Sequence, residues 1–238
     1  MPGLGTIINT AAIVVGGLLG LLFKNLLTKS MEDTLLKASS VCVLFIGIGG
    51  AMQHMLKIAD GALETSGSMM LIICFVLGSI VGELLDIEGA FERFGAWLRK
   101  KTHNESDTGF LSAFIHASLT VCIGAMAIVG SIQDGLLGDY SLLCAKAALD
   151  AVIILVMTAS MGKGCIFSAI PVALLQGSVT LLSRVLAPVF TEAAIANLSY
   201  TGSVMIFCVG LNLVWGKKIK VANLLPTLVF AVLYALVF

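Results

Sequence analysis

Lys146 and Asp150 stand four residues apart inside "AKAALDAVIILVMTASMGKG", Ala145 to Gly164, a stretch otherwise apolar enough to cross a bilayer. An i,i+4 spacing puts both side chains on one helical face. An ammonium and a carboxylate so placed can do two kinds of work. In one, Asp150 takes up and releases a proton or a sodium ion, and Lys146 is its switchable partner or binds an anionic solute. In the other, the pair is a static salt bridge that fixes the helix. A charge at the bilayer centre costs roughly 2.5–3.5 kcal/mol on insertion scales, and ionisable groups there point to function by default. Pairing lowers the cost and weakens that default. Both readings stand at the level of sequence.

Other polar residues interrupt apolar runs in the same way. Asn9 and Thr10 lie near one end of the first run, and Gln176 lies near the middle of another. Ser131, Gln133 and Asp134 occur in "IVGSIQDGLLGDY", before a glycine-containing turn. Asn9, Thr10 and Gln176 either face a cavity as ligands or hydrogen-bond as polar glue; Asp134 beside Gln133 either forms part of an outer gate or belongs, with Ser131, to an ordinary helix end with turn residues. A lone His116 reads as a packing residue. The six cysteines lie singly, with no C-x-x-C pair, and read as small apolar residues rather than as a disulfide framework or metal site. "MGKG" lacks the spacing of a phosphate-binding loop, and neither G-x-S-x-G nor H-E-x-x-H occurs. The expectation is a protein that is not an enzyme and holds no cofactor or metal, with a proton or sodium ion as its coupling ion.

The elements that must position these residues follow from composition. Of 238 residues, 58% are hydrophobic and 12% charged, and the formal net charge is zero. Soluble domains carry about a quarter charged residues. The chain therefore reads as an all-α polytopic membrane protein, a single transmembrane domain over residues 1–238. Its expected partners are the lipid bilayer and a small-molecule or ion substrate, and not nucleic acid. A crossing needs about 20 mainly apolar residues. Eight spans are expected: Thr6–Phe23, Leu35–Met52, Ser68–Leu85, Phe110–Ile132, Leu142–Met161, Ile166–Leu182, Ala194–Trp215 and Val221–Val237. The first reads as a retained span, because it lacks the basic start and cleavage site of a signal peptide.

Orientation follows from basic residues in short loops. Lys24, Lys29, Lys37, Arg93, Arg99, Lys100, Lys101, Lys163, Lys217, Lys218 and Lys220 fall on one side; Lys57 and Arg184 fall on the other. The first side reads as cytoplasmic, so both termini lie outside. Asp150 is then about 12 Å below the outer boundary, near the midplane. The cytoplasmic segment "IEGAFERFGAWLRKK" gathers Phe91, Phe94, Trp97 and Leu98 on one face, the pattern of a helix anchored in the inner interface.

The sequence also repeats. Without gaps, Gly17 falls on Gly177, Lys24 on Arg184, Glu32 on Glu192 and Ser39 on Ser199; a short insertion then brings Gly47 onto Gly210. The copies start five spans apart, and an odd offset makes them inverted. Spans 1–3 (residues 5–86) are expected to match spans 6–8 (residues 163–238), with residues 87–162 as the link. Inverted repeats characterise many secondary transporters, whose sites lie at the repeat interface, where helices are broken. Gly16 and Gly17 in one copy, and Pro171 and Gly177 in the other, are the candidate breaks. Close packing is the competing reading for the glycines, since Gly16–Gly20 and Gly78–Gly82 have G-x-x-x-G spacing. Small-residue faces of this kind also allow a homo-oligomer.

The ordered motifs "GTIINTAAIVVGGLLG", "GSIVGELLDIE", "CIGAMAIVGSIQDGLLGD", "AKAALDAVIILVMTASMGKG" and "IPVALLQG" resemble the bacterial membrane family catalogued as domain of unknown function 554. In that family a glycine often follows the aspartate of the fifth span; here Ala151 occupies the position. The resemblance covers nearly the whole chain and implies a multi-pass protein of the bacterial inner membrane, with transport as the expected role. The functional expectation is an ion-coupled secondary transporter of a small solute, working by alternating access between the repeats. A passive channel and a non-transporting scaffold or sensor are the alternatives.

Overall fold

The computed structural model describes residues 2–24, 28–59, 61–102, 108–123, 125–216 and 218–237, so Lys217 lies outside the described residues. The first helix, α1 (Leu4–Lys24), buries Gly5, Thr6, Asn9, Ile13, Gly16, Gly17 and Gly20. Its exposed side carries Ile7, Val15, Leu18 and Leu22. Small and polar residues face inward and large apolar ones outward, the reverse of a soluble helix. Lipid makes that arrangement favourable, because hydrocarbon solvates leucine and close packing between helices needs small residues.

The chain continues through α2 (Lys29–Met55), strands β1 (Leu56–Ala59) and β2 (Ala62–Thr65), α3 (Ser68–Leu85) and α4 (Ile87–Lys101). Next come α5 (Phe110–Cys122), α6 (Ala125–Leu137), α7 (Ser141–Met161), α8 (Ala169–Leu181), α9 (Ser183–Leu186), α10 (Glu192–Trp215) and α11 (Pro226–Val237). Among the described residues, five helical segments are long and apolar enough to cross a membrane, or six if α5 and α6 are one bent span. The apolar parts of the expected second and eighth spans, Ser40–Met55 and Val221–Val237, fall short of that length. In α2 the first turns are charged instead, and Lys37 pairs with Asp33 at 2.6 Å on the exposed surface.

The described residues are overwhelmingly helical, as expected, and three other expectations need correction. The one departure from helix is small: β1 and β2 form an antiparallel hairpin, with Lys57 opposite Glu64 across the strands. Opposite charges so placed favour the pairing. The expected span Phe110–Ile132 is not one rod, because α5 stops at Cys122 and the next helix is inclined to it by 60°. Gly16 and Gly17 do not break α1, which is continuous through both. Pro171 does not kink a helix interior. It is the third residue of α8, which follows a 3-10 turn over Lys163–Ser168, and proline is tolerated in a first turn. That 3-10 turn begins after Gly162, whose φ of +98° strongly favours a glycine.

Glycines set the helix pairs. A Cβ on Gly16 would collide with the Ala151 carbonyl oxygen, and one on Gly20 with that of Leu155. Gly5 meets Leu143 at the start of the same pair, so α1 and α7 run parallel. Gly47 meets Phe207, Gly50 meets Ser203 and Gly210 meets Leu44, so α2 and α10 run antiparallel. Gly78 meets Thr227 and Gly82 meets Asn223, so α3 and α11 run antiparallel too.

The apolar face of α4 lies against the protein. Gly95 packs on Leu111 and Phe114, and Leu98 is buried. Phe94 sits 5.9 Å from Phe114, ring centre to ring centre. Trp97 stacks on Phe94, ring centres 5.9 Å apart, and remains 56% exposed. Asp86 joins α3 to α4 in the left-handed conformation, φ +47°, and accepts from Gly89 N. The Arg93 guanidinium beside it holds its carboxyl below the ordinary carboxylate range.

Gly16→Val and Gly20→Val are expected to lower the apparent melting temperature of detergent-purified protein by several degrees each. Gly177→Ala, whose Cβ meets nothing within 4 Å, is expected to stabilise by about 0.5–1 kcal/mol. An unchanged melting temperature for Gly16→Val would refute the close α1–α7 contact.

Candidate functional site

On α7 the buried face carries Leu143, Lys146, Ala147, Asp150, Ile154 and Met157. Lys146 is 6% exposed and Asp150 3%. The Lys146 Nζ donates to Asp150 Oδ2 at 2.6 Å, so the i,i+4 pair is made. Neither member is held by the other alone. Asn9 Nδ2, from α1, donates to the same Oδ2 at 3.0 Å. Lys146 Nζ also donates to the Val121 carbonyl oxygen at 2.9 Å.

That last bond exists because α5 ends. Ile123 takes an extended conformation, with ψ 122°, and stops the helix. A helix continued past Cys122 would satisfy the Val121 carbonyl from four residues on. Lys146 satisfies it instead, and places its cation at the negative end of the α5 dipole. The broken span and the charge pair are therefore one structure.

A second group of polar side chains lies on α1, α6 and α8. Seven buried atoms lack a protein partner here: Thr6 Oγ1, Asn9 Oδ1, Ser131 Oγ, Asp134 Oδ1, Thr180 Oγ1 and both amide atoms of Gln176. Thr6 and Asn9 share one face of α1, Ser131 and Asp134 one face of α6, and Gln176 and Thr180 one face of α8. α1, α6 and α8 touch one another, and α1 and α6 also touch α7. Polar groups this deep cost free energy unless something bonds them.

A cavity of about 430 Å³ opens at the end where α1 begins. Thr6, Gly135, Thr180, Ser183 and Arg184 help line it. Asn9 lies about one turn beyond Thr6 on α1, and Gln176 about one turn beyond Thr180 on α8. The cavity thus ends about one turn short of the charge pair. At the other end of α5 a smaller cavity, about 120 Å³, is lined by Glu88, Glu92, Ser112, His116 and Asn212. Glu88 is tied down there, with Oε2 accepting from Ala222 N at 3.0 Å. A third cavity, about 460 Å³, runs past Leu119, Cys122 and Pro171 between apolar walls, with little to orient a polar solute.

The structure brings together most of the residues singled out from sequence. Lys146, Asp150 and Asn9 are in contact, and Gln176, Ser131 and Asp134 are buried on neighbouring helices. Asp134 serves a second purpose: its Oδ2 accepts from Gly3 N and Gly5 N, both at 3.1 Å, and caps the start of α1. Thr10 is not brought in, because its hydroxyl donates back to the Thr6 carbonyl oxygen at 2.8 Å. Gln133 is half-buried and falls outside the group. Gly16 and Gly17 pack α1 on its neighbours, and Gly177 lines the 430 Å³ cavity. Sequence reasoning missed Thr6, Thr180 and Ser183. A signal was present, since Thr6 is three residues before Asn9 and Thr180 four after Gln176.

Removing one member of a buried ion pair typically costs about 3–5 kcal/mol, whereas replacing both by apolar groups is often neutral. Lys146→Met and Asp150→Leu are each expected to lower the melting temperature strongly, and the double variant to lie closer to wild type than either. A double variant that melts below both singles would show that the pair is not the unit described.

Comparison with known proteins follows the same span of chain. The relative "Uncharacterized membrane protein YdfK" of Bacillus subtilis (strain 168) is 27% identical over 224 residues, 94% of this chain and 92% of the relative. "Uncharacterized protein YqgA" of Escherichia coli (strain K12) is 25% identical over 235 residues, 96% of this chain and 94% of the relative. No solved structure matches. The family described as "Protein of unknown function (DUF554)" matches residues 4–236, and the chain belongs to it.

Proposed function

We propose that the protein is an ion-coupled secondary transporter that carries a small solute across the bacterial inner membrane. The observation that carries this reading is the occluded cluster of Lys146, Asp150 and Asn9, bonded to the open end of a broken helix and reached by unpartnered polar side chains from a cavity. Ion and solute sites beside discontinuous helices are a recurring device of transporters. Asp150 takes and releases the coupling cation, a proton or a sodium ion. Lys146 is its partner when the cation is absent. Asn9 and Gln176 supply further ligands. One cavity at the start of α1 and another at the start of α5 support alternating access, with the cluster as the closed middle.

The name of the Bacillus subtilis relative supports placement in a membrane. Eight crossings with both termini on one side are supported by helix directions, and the basic residues of the loops favour the outside for that side. That threading requires α1 and α7 to run parallel and the pairs α2–α10 and α3–α11 to run antiparallel, as their glycine contacts do. Two short apolar stretches then cross with the help of adjoining turns. The inverted repeat draws support from the α2–α10 crossing. Gly47 lies against Phe207 and Gly210 against Leu44, which is what a two-fold axis relating Gly47 to Gly210 produces.

Two experiments test the proposal. Purified protein is screened for thermal stabilisation by small metabolites, and the solutes found are used for uptake into proteoliposomes under proton and sodium gradients. Asp150→Asn is expected to remain folded and lose gradient-driven uptake by tenfold or more. Full uptake by both Asp150→Asn and Lys146→Met would remove the coupling role. A reporter fused to the C-terminus and active only in the cytoplasm should stay dark; a signal would reverse the orientation.

A further inference from the structure

We propose that the transported solute is a zwitterion, a small molecule bearing one ammonium and one carboxylate group, which splits the Lys146–Asp150 pair and gives each member a new counter-ion. This deepens the transport reading above and rests on it.

Charge balance carries the argument first. The pair is neutral as a unit and is buried, with 6% and 3% of its members exposed. An anionic solute that took Lys146 from Asp150 would leave a buried carboxylate short of a counter-charge. A cationic solute that took Asp150 would strand the ammonium. Either event incurs the penalty of an uncompensated buried charge. An uncharged solute has nothing to gain from opening the pair. A zwitterion converts one ion pair into two and keeps the site neutral throughout.

Hydrogen-bonding capacity agrees with this. Each member has a protein partner that stays with it when the pair opens: Val121 O for Lys146 and Asn9 Nδ2 for Asp150. Lys146 Nζ has three donors, and its two protein acceptors leave one for a solute carboxylate. The Asn9 amide turns its nitrogen to Asp150, and its Oδ1 has no protein partner. An ammonium drawn to Asp150 finds that oxygen as a second acceptor on the adjacent side chain. Gln176 is 1% exposed and has an unpartnered donor and an unpartnered acceptor in one amide. Arg184 lines the cavity that leads inward, where it attracts the carboxylate end.

The test uses full-length protein in detergent. The twenty protein amino acids are tried singly for thermal stabilisation. Each stabilising compound is then compared with its decarboxylated amine and its deaminated acid. At least one amino acid is expected to stabilise, and its amine and acid to bind about tenfold more weakly or worse, the factor for roughly 1.4 kcal/mol of lost interaction. Lys146→Met removes the carboxylate partner and is expected to turn the preference toward the amine. Asp150→Asn is expected to turn it toward the acid. A purely structural pair gives no such reciprocal change. The proposal fails if no amino acid stabilises the wild type, or if amine or acid binds the wild type as well as the amino acid does. It fails equally if the folded variants keep the wild-type preference. Should a variant not fold, the wild-type comparison decides alone. Zwitterion-selective binding without uptake would sink the transport reading and leave the site as proposed. Uptake of a singly charged or uncharged solute would sink the zwitterion and leave transport.

Discussion

Neither Lys146 nor Asp150 can be tolerated alone in an apolar interior, and most of what surrounds them follows from that. The ammonium needs acceptors beyond one carboxylate, and the interrupted α5 supplies the Val121 carbonyl oxygen. The carboxylate needs donors beyond one lysine, and α1 supplies Asn9. Bringing Asn9 within 3.0 Å of Asp150 requires α1 to lie almost against the α7 backbone. Gly16 and Gly20 make that approach possible, since any side chain there would meet the carbonyl oxygens of Ala151 and Leu155. One electrostatic requirement thus selects the neighbours, the helix break and the small residues.

The same logic explains why the helix exteriors are so apolar. With polar and small groups used inside, large side chains such as Phe45, Ile72, Val76 and Val152 are left to face outward. In water these would collapse the bundle or aggregate it. In lipid they cost little, and van der Waals packing and internal hydrogen bonds carry the association of helices.

Much of this was legible in the residues themselves. The limits of α3 and α7 follow from their apolar runs, and the i,i+4 pair follows from helical periodicity alone. Asn9, Gln176, Ser131 and Asp134 announce themselves as polar residues in apolar segments. What stayed hidden is the geometry that no single residue records. An apolar run through Ile123 reads as continuous, because hydropathy does not register a helix that ends within lipid. Thr10 looks as promising as Thr6, yet a threonine hydroxyl can satisfy itself on its own helix, and only the structure shows which one did. Pro171 reads as a kink until the preceding turn shows that the helix has just begun. The β1–β2 hairpin was hidden because two four-residue strands joined by a glycine turn carry too little pattern to stand out.

The joining of the charge pair to the broken span has a mechanical consequence. Lys146 is held at once by a carboxylate on its own helix and by the end of another, so any change in what Lys146 bonds is felt at the α5 terminus. An intact helix could not respond, because its carbonyls would already be satisfied. A helix that ends in a carbonyl capped by a side-chain ammonium can gain or lose that cap. Below the break, α5 is held by α4 through Gly95, Phe94 and Phe114, and beyond it α6 is tied to the start of α1 through Asp134. Both halves of that apolar run also pack on α7, α8 and α10, and the cation of the buried pair joins the end of α5 to α7.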